Sequence, residues 1–368
     1  MPTRDTWRAV LFWLAGSRLA IAALGVIGVT TFLDQHTLTT GGSLSLHADL
    51  VWRKWDVLWY ERVALHGYRW QLDDIRGQAL AGFFPLYPLL VGAVLRLLPL
   101  ASFFWTGTIV SNVLTTVACA LAVQHLTDDT THGRRMLAVM ATSAGSFYLS
   151  IPYTESLFLL LVVLVMMCTR RRRYFWAAAL AGLGAITRVQ GLALLAMPLI
   201  ACRIDDDLPL AGRFKRIAGI ALLFALPITI YMAYLASARG SAQAFVISQG
   251  YWDNPIPYPL KAIVGLVIHA RWLSGWLHGA FWTLYVGLLV RYWRRLPLGE
   301  ALFCAGALLI STQQESFHGI YRYITPLMPL TLAVAADRDQ WRQPLAIGNA
   351  IFATIMILAF VTWNRLAV

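Results

Sequence analysis

The chain is predicted to be an all-α polytopic membrane protein, and three observations carry that expectation. Of its 368 residues 58% are hydrophobic and 13% charged, and the mean hydropathy is +0.62. That leaves no soluble domain of any size. Apolar runs of span-like length recur along the sequence, separated by short polar stretches. The net charge of +12 is not spread evenly. Its cations cluster between apolar runs at 134–135, 170–173, 213–216 and 291–295, which marks cytoplasmic loops rather than a surface for nucleic acid.

The first apolar run, residues 7–33, follows Arg4 and Arg8 and lacks a small-residue cleavage site. It reads as an uncleaved span with its N-terminus inside, so residues 34–82 form a large first extracytoplasmic loop able to carry interfacial helices. Three apolar segments follow, 83–100, 104–126 and 136–151, ahead of a span at 153–169 that ends on Arg170 to Arg173. Those arginines belong inside, which puts both Asp56 and Glu155 outside. An odd number of crossings between them cannot do this. The segment 136–151 is short of the roughly twenty residues a span needs and is interrupted by Thr142, Ser143, Gly145 and Ser146. It is therefore expected not to cross, leaving Arg134 and Arg135 outside. Residues 174–202 are too long for one ordinary span and too short for two. They form either a long tilted helix or a shallow hairpin with Arg188 at its tip. Further spans are expected at 217–237, 278–293, 298–311, 324–336 and 345–363, with outside loops at 245–259 and 313–323. The count is about nine to eleven membrane segments in one integral domain, 1–368, without internal repeats.

The chemistry is expected in the stretch 52–88. Trp52, Trp55, Asp56, Trp59 and Tyr60 recur at spacings of three and four, which on one helix makes an aromatic face holding a single carboxylate. Indole and phenol rings favour the membrane surface. A carboxylate held among them is partly desolvated and suits a general base. The plainer reading is an interfacial helix in which Asp56 caps the helix or pairs with Arg53 or Lys54. Farther on, Glu155 stands at the outer end of a span, where either a helix dipole or a charged partner would stabilise it. Arg188 lies inside an apolar stretch and needs an anion, backbone carbonyls or water; a lipid phosphate is the obvious anion. Arg322 has the alternative of reaching a lipid headgroup. With no acid near Arg188 in sequence, it is favoured over Arg322 as a phosphate ligand; if Arg322 takes the phosphate instead, Arg188 becomes a structural ion-pair partner, with Glu155 the expected acid. The cysteines, Cys119, Cys168, Cys202 and Cys304, lie in or beside apolar segments without CxxC spacing, so neither a disulfide nor a metal site is expected.

Short motifs, in order, resemble those of the PIG-V family, the GPI mannosyltransferase II family of GT-C glycosyltransferases. They are Trp55-Asp56, Gly67-Tyr68, the run from Phe83 through Tyr87 to Pro88, Tyr153-Thr154-Glu155, Thr187-Arg188 with the following Val189-Gln190-Gly191, and Gln249-Gly250-Tyr251-Trp252 with the later Arg322-Tyr323 before Pro326. Val189-Gln190 departs from the family's shorter, more polar signature after the arginine. The resemblance implies a GT-C-type fold and a compact prokaryotic member in the bacterial plasma membrane, its active site on the extracytoplasmic side. It implies transfer of mannose, with inversion, from a polyprenyl-phosphate donor to a lipid-linked or glycolipid acceptor, without cofactor or metal. Asp56 would be the catalytic base; Arg188, Arg322 and Tyr323 would hold the donor phosphate. Trp55, Tyr60, Tyr68, Tyr87, Glu155, Gln249, Trp252 and His318 would line the pocket. A proton-coupled lipid or solute transporter, with Asp56, Glu155 and His318 as relay, is the alternative class; it calls for carboxylates buried at mid-span.

Overall fold

In a computed structural model of the protein, the residues described are 4–32, 51–68, 80–98, 102–204, 210–250, 260–268, 273–313, 319–337 and 342–362. All regular structure among them is helical. Four helices are long and apolar enough to cross a membrane: α1 (Arg4–Phe32), α4 (Phe103–His125), α9 (Leu210–Arg239) and α16 (Arg342–Val361). Their outward faces carry Leu11, Phe12, Leu19, Leu222, Leu226, Ile230, Ile347 and Ile351 in the open. Backbone groups satisfied within helices and large apolar side chains turned outward are what a hydrocarbon surround requires.

Twelve further α-helices complete the described structure. In chain order they are α2 (Asp56–His66), α3 (Leu86–Leu97), α5 (Thr130–Thr142), α6 (Glu155–Arg170), α7 (Tyr174–Ala185) and α8 (Ala196–Ile204). After α9 come α10 (Ala244–Gln249), α11 (Lys261–Ile268), α12 (Leu273–Tyr292), α13 (Leu298–Ile310), α14 (Ile320–Ile324) and α15 (Met328–Ala336).

Two ends of the bundle can be told apart by their contacts. At one end the C-terminus of α4 meets that of α6, where Arg171 contacts His125 at 3.4 Å. Beside them Arg170 grips Glu300 through Nε and Nη2 at 2.9 and 3.1 Å, and Arg291, Arg295 and the Tyr292 hydroxyl converge on Asp337. At the other end, called the carboxylate end because Glu155 opens α6 there (the first being the arginine end), the first half and middle of α4 bind the segment before α6, with Asn112 and Thr115 hydrogen-bonded to the carbonyls of Ser150 and Leu149. Helices α4 and α6 therefore run the same way.

That direction makes α5 the return path. Its first turn is capped by the Asp129 side chain, which accepts from the His132 amide at 2.7 Å, and Gly133 packs on Val123 and Thr127. Beyond its last turn Ser143 bonds Thr325 at 3.0 Å. The chain thus travels from the arginine end to the carboxylate end between residues 130 and 143, contrary to the expectation that 136–151 stays on one side. Arg134 and Arg135 consequently lie at the arginine end. The segment that does not change ends is α3, 12 residues long, because it starts beside the early turns of α4 and α4 itself begins at that same end. Its first turn is anchored at the carboxylate end, where the Tyr87 hydroxyl bonds Ser111 and the Gly107 carbonyl.

Residues 174–204 form the hairpin. Helix α7 climbs to the carboxylate end, the chain turns at 186–188, and a 3-10 helix, Val189–Leu195, leads back into α8. The turn closes because Gly191 lies on the Gly184 backbone, where any Cβ would overlap the Gly184 carbonyl. Arg188 stands at the tip.

Candidate functional site

Asp56 opens α2, but not as the middle of a longer aromatic helix. Residues 53–55 break the helical path, and Lys54 to Val57 form a turn closed by the Val57 amide on the Lys54 carbonyl at 3.3 Å. Trp55 occupies the second position of that turn with φ 56 and ψ −127, a conformation glycine normally supplies in a type II′ turn. A tryptophan held there stores local strain, the kind that persists where surrounding contacts over-determine it. Those contacts are present: the Trp55 indole donates to the Phe360 carbonyl at 3.4 Å, and Lys54 Nζ donates to the Val361 carbonyl. The expected continuous aromatic face is therefore corrected. Of its rings, Trp52 and Tyr60 are buried, while Trp55 and Trp59 are half-buried, Trp59 stacked on Phe83.

Neither Arg53 nor Lys54 pairs with Asp56. Arg53 binds Glu61 at 2.6 Å, which accounts for that second carboxylate. Asp56 Oδ2 instead accepts from Arg322 Nη1 at 2.8 Å. Arg322 Nε then donates to Glu155 Oε1 at 2.7 Å, and the same oxygen takes Arg188 Nη1 at 2.6 Å. Four charged residues from four separate motifs form one alternating chain, Asp56, Arg322, Glu155, Arg188. Its exposure falls inward, from 21% for the Asp56 side chain and 13% for Arg322 to 7% for Arg188 and 0% for Glu155.

Each link is held in place by its element. Glu155 is the first residue of α6 and Asp56 the first of α2, so both carboxylates sit where a helix dipole favours negative charge. Arg322 belongs to the single helical turn α14, entered through Gly319 at φ 65. Its guanidinium lies over the rings of Tyr153 and Tyr148, 4.7 and 5.1 Å from their centroids. Arg322 is thus turned into the bundle and not toward a headgroup. Arg188 is steadied by Gln190 Oε1 at 2.8 Å and Thr154 Oγ1 at 2.9 Å, and lies over the Tyr323 ring at 5.2 Å. Glu155 is the acid that sequence proximity does not reveal for Arg188.

The aromatic residues expected at the site divide. Tyr60 meets Tyr153, Tyr87 and Phe83 edge to face and so backs the charged chain, with Tyr87 one layer behind it. Tyr68 is not at the chain of ion pairs; its hydroxyl donates to the Phe83 carbonyl at 2.5 Å, and its ring packs on Tyr231 and Tyr234. Gln249 ends α10, which packs on residues 80–84, and it makes no hydrogen bond to the four charged residues. Trp252 and His318 lie outside the described residues. Sequence reasoning did not name Tyr148, Tyr153, Thr154 or Gln190 as site residues. Tyr153 and Thr154 immediately precede Glu155, and Gln190 belongs to the Val189-Gln190 pair that departs from the family signature. It is fully buried and bridges Arg188 to the Tyr323 carbonyl at 3.2 Å. Tyr148 had no signal in sequence.

Chemically, the arrangement offers a partly exposed carboxylate oriented by a guanidinium, backed by a second acid and a second guanidinium, inside an aromatic wall. Among the described residues no three or more His, Cys, Asp or Glu gather as a metal site would need. No family model matches the chain, and no curated protein or solved structure is significantly similar to it.

Proposed function

We propose that the protein is a polyprenyl-phosphate-dependent mannosyltransferase of the PIG-V type, with a GT-C-like fold of nine to eleven membrane segments in about the arrangement that span-length rules give. The observation that supports this reading is the convergence of Asp56, Glu155, Arg188 and Arg322 on one site. They come from four motifs spread over the sequence, and each of the four belongs to the family pattern. The arginine end would face the cytoplasm and the carboxylate end the extracytoplasmic side of a bacterial plasma membrane.

The reaction is a single displacement. Asp56 takes the proton of the acceptor hydroxyl through Oδ1 while Arg322 holds Oδ2, a base oriented by a third group. The hydroxyl oxygen forms its bond to the anomeric carbon as the bond from that carbon to the phosphate oxygen breaks, which inverts the centre. The phosphate leaves with the electron pair, and a guanidinium meets its growing charge. Of the two arginines, Arg322 is the better placed, because it already touches the base and is the more exposed. Arg188, enclosed and paired with Glu155, holds Glu155 and so the position of Arg322.

Membranes containing the protein, given radiolabelled polyprenyl-phosphate mannose and native lipid extract, should yield a labelled acceptor lipid, and no transfer to any lipid would overturn the reading. In the same assay Arg322→Lys should impair donor use more than Arg188→Lys, since lysine keeps the charge but loses the two-pronged grip on phosphate. The transporter reading draws on one observation, the complete burial of Glu155 inside the bundle. It calls for substrate-driven proton uptake into proteoliposomes that Glu155→Gln abolishes, with no sugar transfer.

A further inference from the structure

Within the four long apolar helices, charged residues sit near the ends with one exception. Arg18 lies halfway along α1, where a cation in hydrocarbon is costly unless something neutralises it. Its partners among the described residues are all uncharged: Asn112 Oδ1 at 2.9 Å, the Leu149 carbonyl at 3.4 Å and Ser17 Oγ at 3.4 Å. The contrast with the site described above is direct. There two arginines are balanced by two carboxylates, whereas no carboxylate among the described residues is paired with Arg18.

A second observation lies beside it. The Asn112 amide donates to the carbonyls of Thr108 and Ser150, and the hydroxyls of those same two residues, Thr108 Oγ1 and Ser150 Oγ, are buried with no hydrogen-bond partner. An unmade hydrogen bond in such a place is destabilising. A guanidinium without an anion and two hydroxyls without acceptors, gathered around one asparagine, are together short of an anionic group with several oxygens. Access is from outside the bundle. Leu11 and Ala15, on the same face of α1 as Arg18, are exposed, and Arg18 itself is half-buried.

We propose that Arg18, with the Thr108 and Ser150 hydroxyls, binds the phosphate of a membrane lipid that enters between α1 and α4. This site is separate from the Asp56 chain and goes beyond the mannosyltransferase reading, so it stands or falls without any turnover being measured. The segment it grips, Leu149 and Ser150, follows Tyr148, whose ring lies under Arg322. Lipid bound there would brace the aromatic wall of the site from behind.

Native mass spectrometry of the full chain, freed of copurified lipid, would count bound phosphatidylglycerol and bound polyprenyl phosphate, with polyprenol as the phosphate-free control. Wild type should retain the phosphate lipids and not polyprenol. Arg18→Gln should lose one bound phosphate lipid and weaken retention at least about tenfold, the worth of a charge-assisted hydrogen bond. Thr108→Ala with Ser150→Ala should weaken it too, with thermal stability unchanged or raised, because the hydroxyls removed satisfy nothing without ligand. Loss of both phosphate lipids assigns a general phospholipid site, and loss of polyprenyl phosphate alone assigns the polyprenyl carrier; each supports the phosphate site. Equal retention of polyprenol and phosphate lipids by wild type would overturn it. So would a folded Arg18→Gln variant that still holds the phosphate lipids, or, if that variant does not fold, wild-type retention by the hydroxyl double variant.

Discussion

Asp56 and Glu155 are both acids at the first position of a helix, yet their surroundings assign them different work. Asp56 keeps part of its side chain open and touches one arginine; Glu155 is sealed and touches two. Asp56→Asn keeps the shape and a hydrogen-bond acceptor for Arg322, so the fold should survive while mannosyl transfer falls by about two to three orders of magnitude, the share a general base supplies. Near-normal turnover with radiolabelled donor would return Asp56 to a structural role. Glu155→Gln should act on stability as well, because it leaves two buried guanidinium groups facing a neutral amide. Breaking a buried ion pair on one side costs about 3–5 kcal/mol, whereas Glu61→Gln, which disrupts an exposed pair with Arg53, should cost less than about 1 kcal/mol. Unfolding both variants in detergent, followed by loss of helical signal, compares the two.

Among the elements, the hairpin of α7 and α8 does the most to place the site. It delivers Arg188 to Glu155 from a part of the chain 33 positions farther along, and it can do so only because two glycines meet where its arms cross. Gly191→Ala would force the arms apart, since the new methyl would overlap Gly184 backbone and not a movable side chain. Overpacking of that kind costs about 1–3 kcal/mol. The expected result is a lower melting temperature together with poor sugar transfer, as Arg188 withdraws from Glu155; full activity in the alanine variant would mean that the tip holds its place by other contacts. The turn at Lys54 to Val57 is the other decisive element. Its strained Trp55 points α2 so that Asp56 reaches Arg322 and the Tyr153 hydroxyl, which its amide meets at 3.3 Å.

At the scale of the whole molecule, the two ends differ in charge and in chemistry. Arg134, Arg135 and Arg170 to Arg173 share one end, which removes the exception to the positive-inside rule that the expected topology required. If that end is cytoplasmic, a cysteine at the exposed position of Arg62, late in α2, should react with an impermeant thiol reagent in intact cells. A cysteine at the exposed position of Arg172 should react only after the membrane is opened. Labelling of the second position in intact cells would invert the assignment and put the carboxylate site inside.

What the sequence by itself determined was the helical class, the apolar segments and the identity of the four charged residues at the site. The first two follow from composition and the length of apolar runs, which are local properties of the chain; the four residues came from local spacing, from the cost of a charge beside hydrocarbon and, for Arg322, from the resemblance of a short motif. It did not determine who pairs with whom. For Arg188 the sequence left a lipid phosphate and Glu155 as rival partners, because Glu155 lies on another helix, and Asp56 looked like the partner of Arg53 or Lys54 because those were its neighbours in sequence. Local spacing likewise drew one aromatic helix through Trp52 and Tyr60, although a tertiary anchor at Phe360 and Val361 breaks the helix at residues 53–55. The choice between α3 and α5 as the segment that does not change ends also rested on contacts, at Arg171 with His125 and at Ser143 with Thr325. Ion pairs and helix directions are set by groups far apart in the chain, and only the packed structure brings them within reach of one another.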